Sequence, residues 1–125
     1  MNINDMLKII ISRNASDLHL TVGIPPVLRI DGYLVYMDLP CLTRNDTEMA
    51  AKHLLGQEKK LRFDSSGEAD ASYVIPGQGL FRVNCYRQRG VTGVAIRVLK
   101  DSVLSIDELE LPPTLAAMAR RNHGL

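Results

Sequence analysis

An α+β domain with a mainly antiparallel sheet is what the sequence predicts, and three observations predict it. The hydrophobic period switches between helical and strand spacing in the order α, βββ, α, βββ, α. Short turn signals, Asp31-Gly32 and Pro76-Gly77-Gln78-Gly79, join successive strand patterns as hairpins. A length of 125 residues, 46% apolar and 23% charged, suits one core and leaves no room for a second full domain.

The elements follow in order. Ile3, Met6, Leu7, Ile10 and Ile11 repeat at the spacing of one helical face, so a helix opens the chain and ends near Asn14. From Asp17 the period becomes two, with Leu18, Leu20 and Val22 alternating against Asp17, His19 and Thr21 until Pro25-Pro26. Val27 to Ile30 and Tyr33 to Met37 flank Asp31-Gly32 as a tight hairpin. Thr43 and Asp46 stand at capping-box spacing before an inward stripe of Met49, Ala50, His53 and Leu54 that stops at Gly56, with a further helical turn over Gln57 to Arg62. Asp70 to Ile75, Leu80 to Gln88 and Val91 to Leu99 read as three antiparallel strands. Ser105 and Glu108 repeat the capping spacing before Pro112-Pro113, and Thr114 to Arg121 is helical in pattern.

Fifteen Lys and Arg against fourteen Asp and Glu leave a formal charge of +1, so bulk attraction to nucleic acid or anionic lipid is not expected. No apolar run approaches the roughly 20 residues of a membrane span, and Asn2, Asn4 and Asp5 occupy the place of a secretory signal's basic patch. Cys41 and Cys85 lie far apart without metal-ligand spacing, which fits a reduced cytosolic setting and predicts no metal. His53 and His123 make no ligand set, and no Walker A, nucleophile-elbow, zincin or dinucleotide motif occurs, so no catalytic residue is expected within this chain alone.

Charge is uneven locally. Between Ala71 and Lys100 there is no Asp or Glu, while Arg82, Arg87, Arg89, Arg97 and Lys100 supply five positive charges. Strand alternation puts Phe81, Val83 and Cys85 on one face and Arg82, Asn84 and Tyr86 on the other, and pairs Ala95, Arg97 and Leu99 against Val94, Ile96 and Val98. A hairpin turning near Arg89 to Thr92 brings Arg82 and Arg97 together, where two planar guanidinium forks suit one phosphate. The same arginines also fit a plain solvated strand face, and Phe81 with Tyr86 fits, less well, a nucleic-acid platform. Asp17, His19 and Asp31 form an imaginable acid–base set, although a strand His beside an Asp is commonly a structural hydrogen-bond partner.

Several motifs, in order, carry a resemblance to a known family. They are Ala15-Ser16-Asp17-Leu18-His19-Leu20-Thr21, Gly23, Pro25-Pro26, Arg29-Ile30-Asp31-Gly32, Gly67-Glu68-Ala69-Asp70, Ile75-Pro76-Gly77, Phe81-Arg82-Val83-Asn84 and Ala95-Ile96-Arg97-Val98. Together they resemble the N-terminal domain of the type IV pilus retraction ATPases, the PilT-type twitching motility proteins of the secretion ATPase superfamily, over about Ile3 to Leu125.

The resemblance implies a PAS-like domain over 1–103 and, over 104–125, a linker and helix leading to a RecA-like ATPase domain beyond His123-Gly124-Leu125. It implies that Arg82 and Arg97 act as arginine fingers on nucleotide phosphates held by that RecA-like domain, with Arg87 and Arg89 as possible supports. Leu104 to Pro112 resembles the family's segment near the adenine. ATP and Mg2+ are implied for the whole motor and no cofactor for this domain alone. Implied partners are the chain's own RecA-like domain, neighbouring subunits of a homohexamer and pilus machinery at the inner membrane, with no nucleic acid; the implied location is cytoplasmic, peripheral to that membrane. The alternative expectation is a freestanding PAS-like sensor binding a small anion between sheet and helices.

Overall fold

Asn2 starts the first helix: its side-chain oxygen accepts from the Asp5 backbone N–H at 3.1 Å, as an N-cap should. The computed structural model describes residues 2–100. Helix α1 runs Ile3–Ser12 and buries Ile3, Met6, Leu7 and Ile10, the stripe the spacing predicts. Three strands follow, β1 (Asp17–Leu20), β2 (Val27–Ile30) and β3 (Tyr33–Tyr36), with Asp31 and Gly32 both at positive φ in the hairpin turn. Helix α2 spans Arg44–Ser66, and β4 (Glu68–Ile75), β5 (Gly79–Gln88) and β6 (Val91–Lys100) complete the described chain.

The six strands form one sheet in the order β3-β2-β1-β6-β5-β4, and every neighbouring pair is antiparallel. One sheet with two helices is an α+β fold, so the expected class holds. Strand β1 lies between β2 and β6, which joins the two three-stranded halves into a continuous surface. One face is core: Leu18, Leu20, Leu28, Phe81, Val83, Cys85, Val94 and Ile96 are buried there with the inner faces of α1 and α2.

Helix α2 differs from its sequence reading in two ways. Gly56, at φ 78° and ψ 169°, leaves helical geometry and breaks the stripe as read, but the second segment beyond that kink runs on past Arg62 to Ser66, where Gly67 closes it in the left-handed conformation. Beyond the kink Phe63, fully buried, anchors the second segment. The inward face is Thr47, Ala50, Ala51, Leu54 and Leu55, whereas Met49 is 56% exposed and His53 lies on the outer side. The expected linker and helix over 104–125, the Ser105/Glu108 capping signal and the adenine-edge segment all lie outside the described residues.

Candidate functional site

The face of the sheet turned away from the helices carries the arginines. Register sets Arg29, Asp17, Arg97, Arg82 and Ser72 as successive partners across β2, β1, β6, β5 and β4. The row beside it is Val27, His19, Ala95, Asn84 and Asp70. Arg82 and Arg97 are therefore directly opposite each other, with Cα atoms about 5 Å apart as antiparallel partners are. Both are exposed, and with Asp17, His19, Asn84, Ala95 and Ile96 they line a shallow depression of about 200 Å³.

Like charges directly opposite in a sheet are unfavourable, so this pair needs a counter-charge. Asp17 supplies part of it: Arg97 Nε donates to Asp17 Oδ1 at 3.2 Å, and Ser16 Oγ donates to Asp17 Oδ2 at 2.6 Å. The Asp17 side chain is only 12% exposed against 70% for Arg97, so the carboxylate is the fixed member. Burial pushes its pKa up, but the hydrogen bonds from Ser16 and Arg97 and the charges of Arg97 and His19 outweigh that and hold it below the ordinary value. Arg82 makes no hydrogen bond or ion pair among the described residues. A dianion placed between the two forks would relieve the repulsion and accept several charge-assisted hydrogen bonds at once.

The supporting arginines are elsewhere. Arg87 shares the inward parity of Phe81, Val83 and Cys85 and so lies on the opposite face, under α2. It donates to Asp64 at 2.7 Å and Glu48 at 3.2 Å, and its guanidinium covers the Phe63 ring at 4.7 Å. Lys60 bridges the same two carboxylates, Asp64 at 2.7 Å and Glu48 at 3.0 Å, and Thr92 Oγ1 donates to Glu48. Arg87 is thus a structural clasp between helix and hairpin. Arg89 sits at φ 55° in the β5–β6 turn, seven residues beyond Arg82, or about 23 Å along the strand. Neither can reach the anion that Arg82 and Arg97 would share.

Asp17, His19 and Asp31 do not form an acid–base set, because Asp31 is exposed in the β2–β3 turn and its side chain makes no hydrogen bond to Asp17 or His19. His53 is a structural tie: its Nε2 lies 2.7 Å from the Tyr73 hydroxyl, which donates to Asn4 Oδ1 at 2.7 Å and links α2, β4 and α1. Burial pushes the Cys85 thiol up to about 12, which keeps it protonated at neutral pH. Among the described residues no three His, Cys, Asp or Glu side chains gather as a metal site, and no helix is long and apolar enough to cross a membrane.

Sequence reasoning missed the Asp17–Arg97 contact, since nothing local signals a pairing between strands 80 residues apart. The placement of Arg87 was legible in principle, as continuing the alternation from Phe81 by two residues at a time puts it inward.

No protein-family model matches the chain. It is 32% identical over all 125 residues to the type IV pilus retraction ATPase PilT of Pseudomonas aeruginosa, spanning 36% of that protein's length. The crystal structure of the pilus retraction motor PilT with bound ADP superposes with a TM-score of 0.74 at 35% identity, covering 92% of this chain and 34% of that one. The ATPase DotB of Legionella pneumophila shares the fold, with a TM-score of 0.68 at 20% identity over 92% of this chain and 33% of its own. In sequence and in fold, the chain matches the N-terminal part of the PilT-type pilus ATPases.

Proposed function

We propose that this chain is the N-terminal nucleotide-sensing and subunit-interface domain of a hexameric type IV pilus retraction ATPase. In this reading Arg82 and Arg97 reach the phosphate oxygens of Mg2+-bound ATP held by a RecA-like domain when the cleft between the two domains closes. Their forks neutralise charge on the transferring phosphoryl group, and closure is converted into movement against neighbouring subunits. The domain acts in the cytoplasm, against pilus machinery at the inner membrane. The observation that carries the reading is the cross-strand Arg82–Arg97 pair, two like charges held side by side on an exposed face, with the carboxylate of Asp17 meeting Arg97 from the side away from Arg82.

A freestanding sensor with a ligand between sheet and helices draws no support, because Phe63, Phe81, Leu7, Ile10 and Leu20 fill that space. The depression on the open face is smaller than the roughly 300–1,000 Å³ of an ordinary small-molecule site, as suits one half of a cleft.

The test is ATP turnover by the full motor polypeptide with Arg82→Ala or Arg97→Ala, at matched hexamer content by sedimentation. Loss of one finger should lower kcat by about 10³-fold or more, the scale of arginine fingers in other phosphoryl-transfer enzymes. Unchanged kcat in both variants removes the pair from the mechanism. Calorimetry of residues 1–125 alone with ATP should show no binding, and micromolar affinity would favour the sensor.

A further inference from the structure

The side-chain geometry around Asp17 assigns it a task that rests on the reading above and deepens it. We propose that Asp17 is the positioning residue for Arg97: it grips the guanidinium by the Nε edge and leaves both terminal nitrogens directed to the phosphate.

Four observations support this. The only hydrogen bond of the Arg97 side chain among the described residues uses Nε, so Nη1 and Nη2 keep their donors. The carboxylate is itself immobilised, its second oxygen taken by Ser16 Oγ and its side chain 12% exposed. The backbone around it is pinned on both sides, since Ser16 N donates to Arg29 O and Val98 N donates to Ser16 O, each at 2.9 Å. Arg97 by contrast is 70% exposed on a long flexible stem and facing the like charge of Arg82. Without Asp17, repulsion from Arg82 and rotamer freedom would disperse the fork over many directions. Arginine suits this double engagement because its donors fan out in one plane and can meet carboxylate and phosphate on separate edges; a lysine ammonium bridges two anions only where both lie within about 3 Å of its one nitrogen, as Glu48 and Asp64 do around Lys60.

The experiment is a double-mutant cycle on ATP turnover by the full motor polypeptide, with Asp17→Ala, Arg97→Ala and the pair, plus the near-isosteric Asp17→Asn and the single-nitrogen Arg97→Lys. If Asp17 acts through Arg97, Asp17→Ala lowers kcat by about 10- to 100-fold, the scale of a misplaced catalytic contact, with KM for ATP changed less than threefold. In the Arg97→Ala background the same substitution then changes kcat less than twofold. Asp17→Asn, which keeps an acceptor but loses the charge, falls between. An equal loss in both backgrounds overturns the proposal and makes Asp17 a purely structural residue. If Arg97→Ala is impaired and Asp17→Ala is not, the positioning role fails while the finger role stands. If Arg97→Ala is itself fully active, what fails is the finger role that the proposed function gives Arg97, and the positioning role of Asp17 fails with it. Should the Asp17 variants not assemble, Arg97→Lys decides: activity as low as Arg97→Ala supports the double grip, and near-native activity overturns it.

Discussion

Gly93 lies under the ring of Tyr86, its cross-strand partner, on the same face as Arg82 and Arg97. A Cβ at residue 93 would stand 2.5 Å from ring carbons Cε2 and Cζ, closer than side chains tolerate, so the glycine exists to let the ring lie flat. Gly93→Ala should lower stability by about 1–2 kcal/mol by driving Tyr86 off the strand, read as a lower urea midpoint with unchanged m. In a Tyr86→Ala background the clash is gone, and the same substitution should be neutral or slightly stabilising, because glycine is a poor strand residue. Equal destabilisation in both backgrounds would mean that backbone, not the ring, sets the requirement. At this scale the sequence was legible wherever alternation alone decides: Phe81, Val83 and Cys85 face inward and Arg82 outward, as their parity requires. What parity cannot supply is the identity of the neighbour, so Asp17 beside Arg97 and Glu48 and Asp64 around Arg87 became visible only in three dimensions.

Helix α2 is mostly polar, and its ends are set by local chemistry more than by a long apolar stripe. At the start, Thr43 Oγ1 accepts from Asp46 N–H at 3.2 Å while Asp46 Oδ2 accepts from Thr43 N–H at 2.8 Å, a reciprocal capping box that the Thr43/Asp46 spacing announced. Thr43→Ala removes one of these bonds and weakens the other's geometry, and should cost about 1 kcal/mol in chemical denaturation. A change under 0.3 kcal/mol would mean that packing of Ala50, Ala51, Leu54 and Leu55 fixes the helix start without help from the cap. The helix end was harder to read. Gly56 breaks the helix as its stop signal announced, and Gly67 ends the second segment; both adopt positive φ. The length of that second segment is tertiary in origin: Phe63 finds a fully buried seat and is covered by Arg87, which stabilises helix beyond the kink. A single Phe in a polar stretch gives no periodicity from which that seat could have been inferred.

The β5–β6 hairpin is clamped on both of its faces by ionic contacts, and this couples the molecule's stability to pH. On the helix side Arg87 and Thr92 meet Glu48 and Asp64; on the open side Arg97 meets Asp17. Burial raises the Glu48 pKa, but hydrogen bonds from Thr92, Lys60 and Arg87 outweigh it and leave the carboxyl below its ordinary 4.5. Hydrogen bonds from Lys60 and Arg87 hold Asp64 below its ordinary 3.8, and Asp17 lies below it as well. Depressed pKa values in the folded state mean that the unfolded chain takes up protons first as pH falls. The stabilisation from these groups is therefore complete above the unfolded-state values of about 4 and is lost as pH drops through the lower folded-state values. The urea midpoint of residues 1–125 should be insensitive to these carboxylates between pH 8 and 5 and fall below about pH 4, with Glu48→Gln reducing the slope of that fall. A midpoint that holds or rises between pH 4 and 2 would show that the clamps contribute nothing to the fold. The two clamps differ in what they leave available: the helix-side one engages all three nitrogens of Arg87, Nε with Thr92, Nη1 with the Asp64 carbonyl and Nη2 with both carboxylates, while the open-side one engages only Nε of Arg97. Acid that breaks both should therefore loosen the hairpin from α2 and free the Arg97 fork in a single transition, and the coincidence of far-ultraviolet and Tyr86-sensitive signals through it is the measurement that checks this.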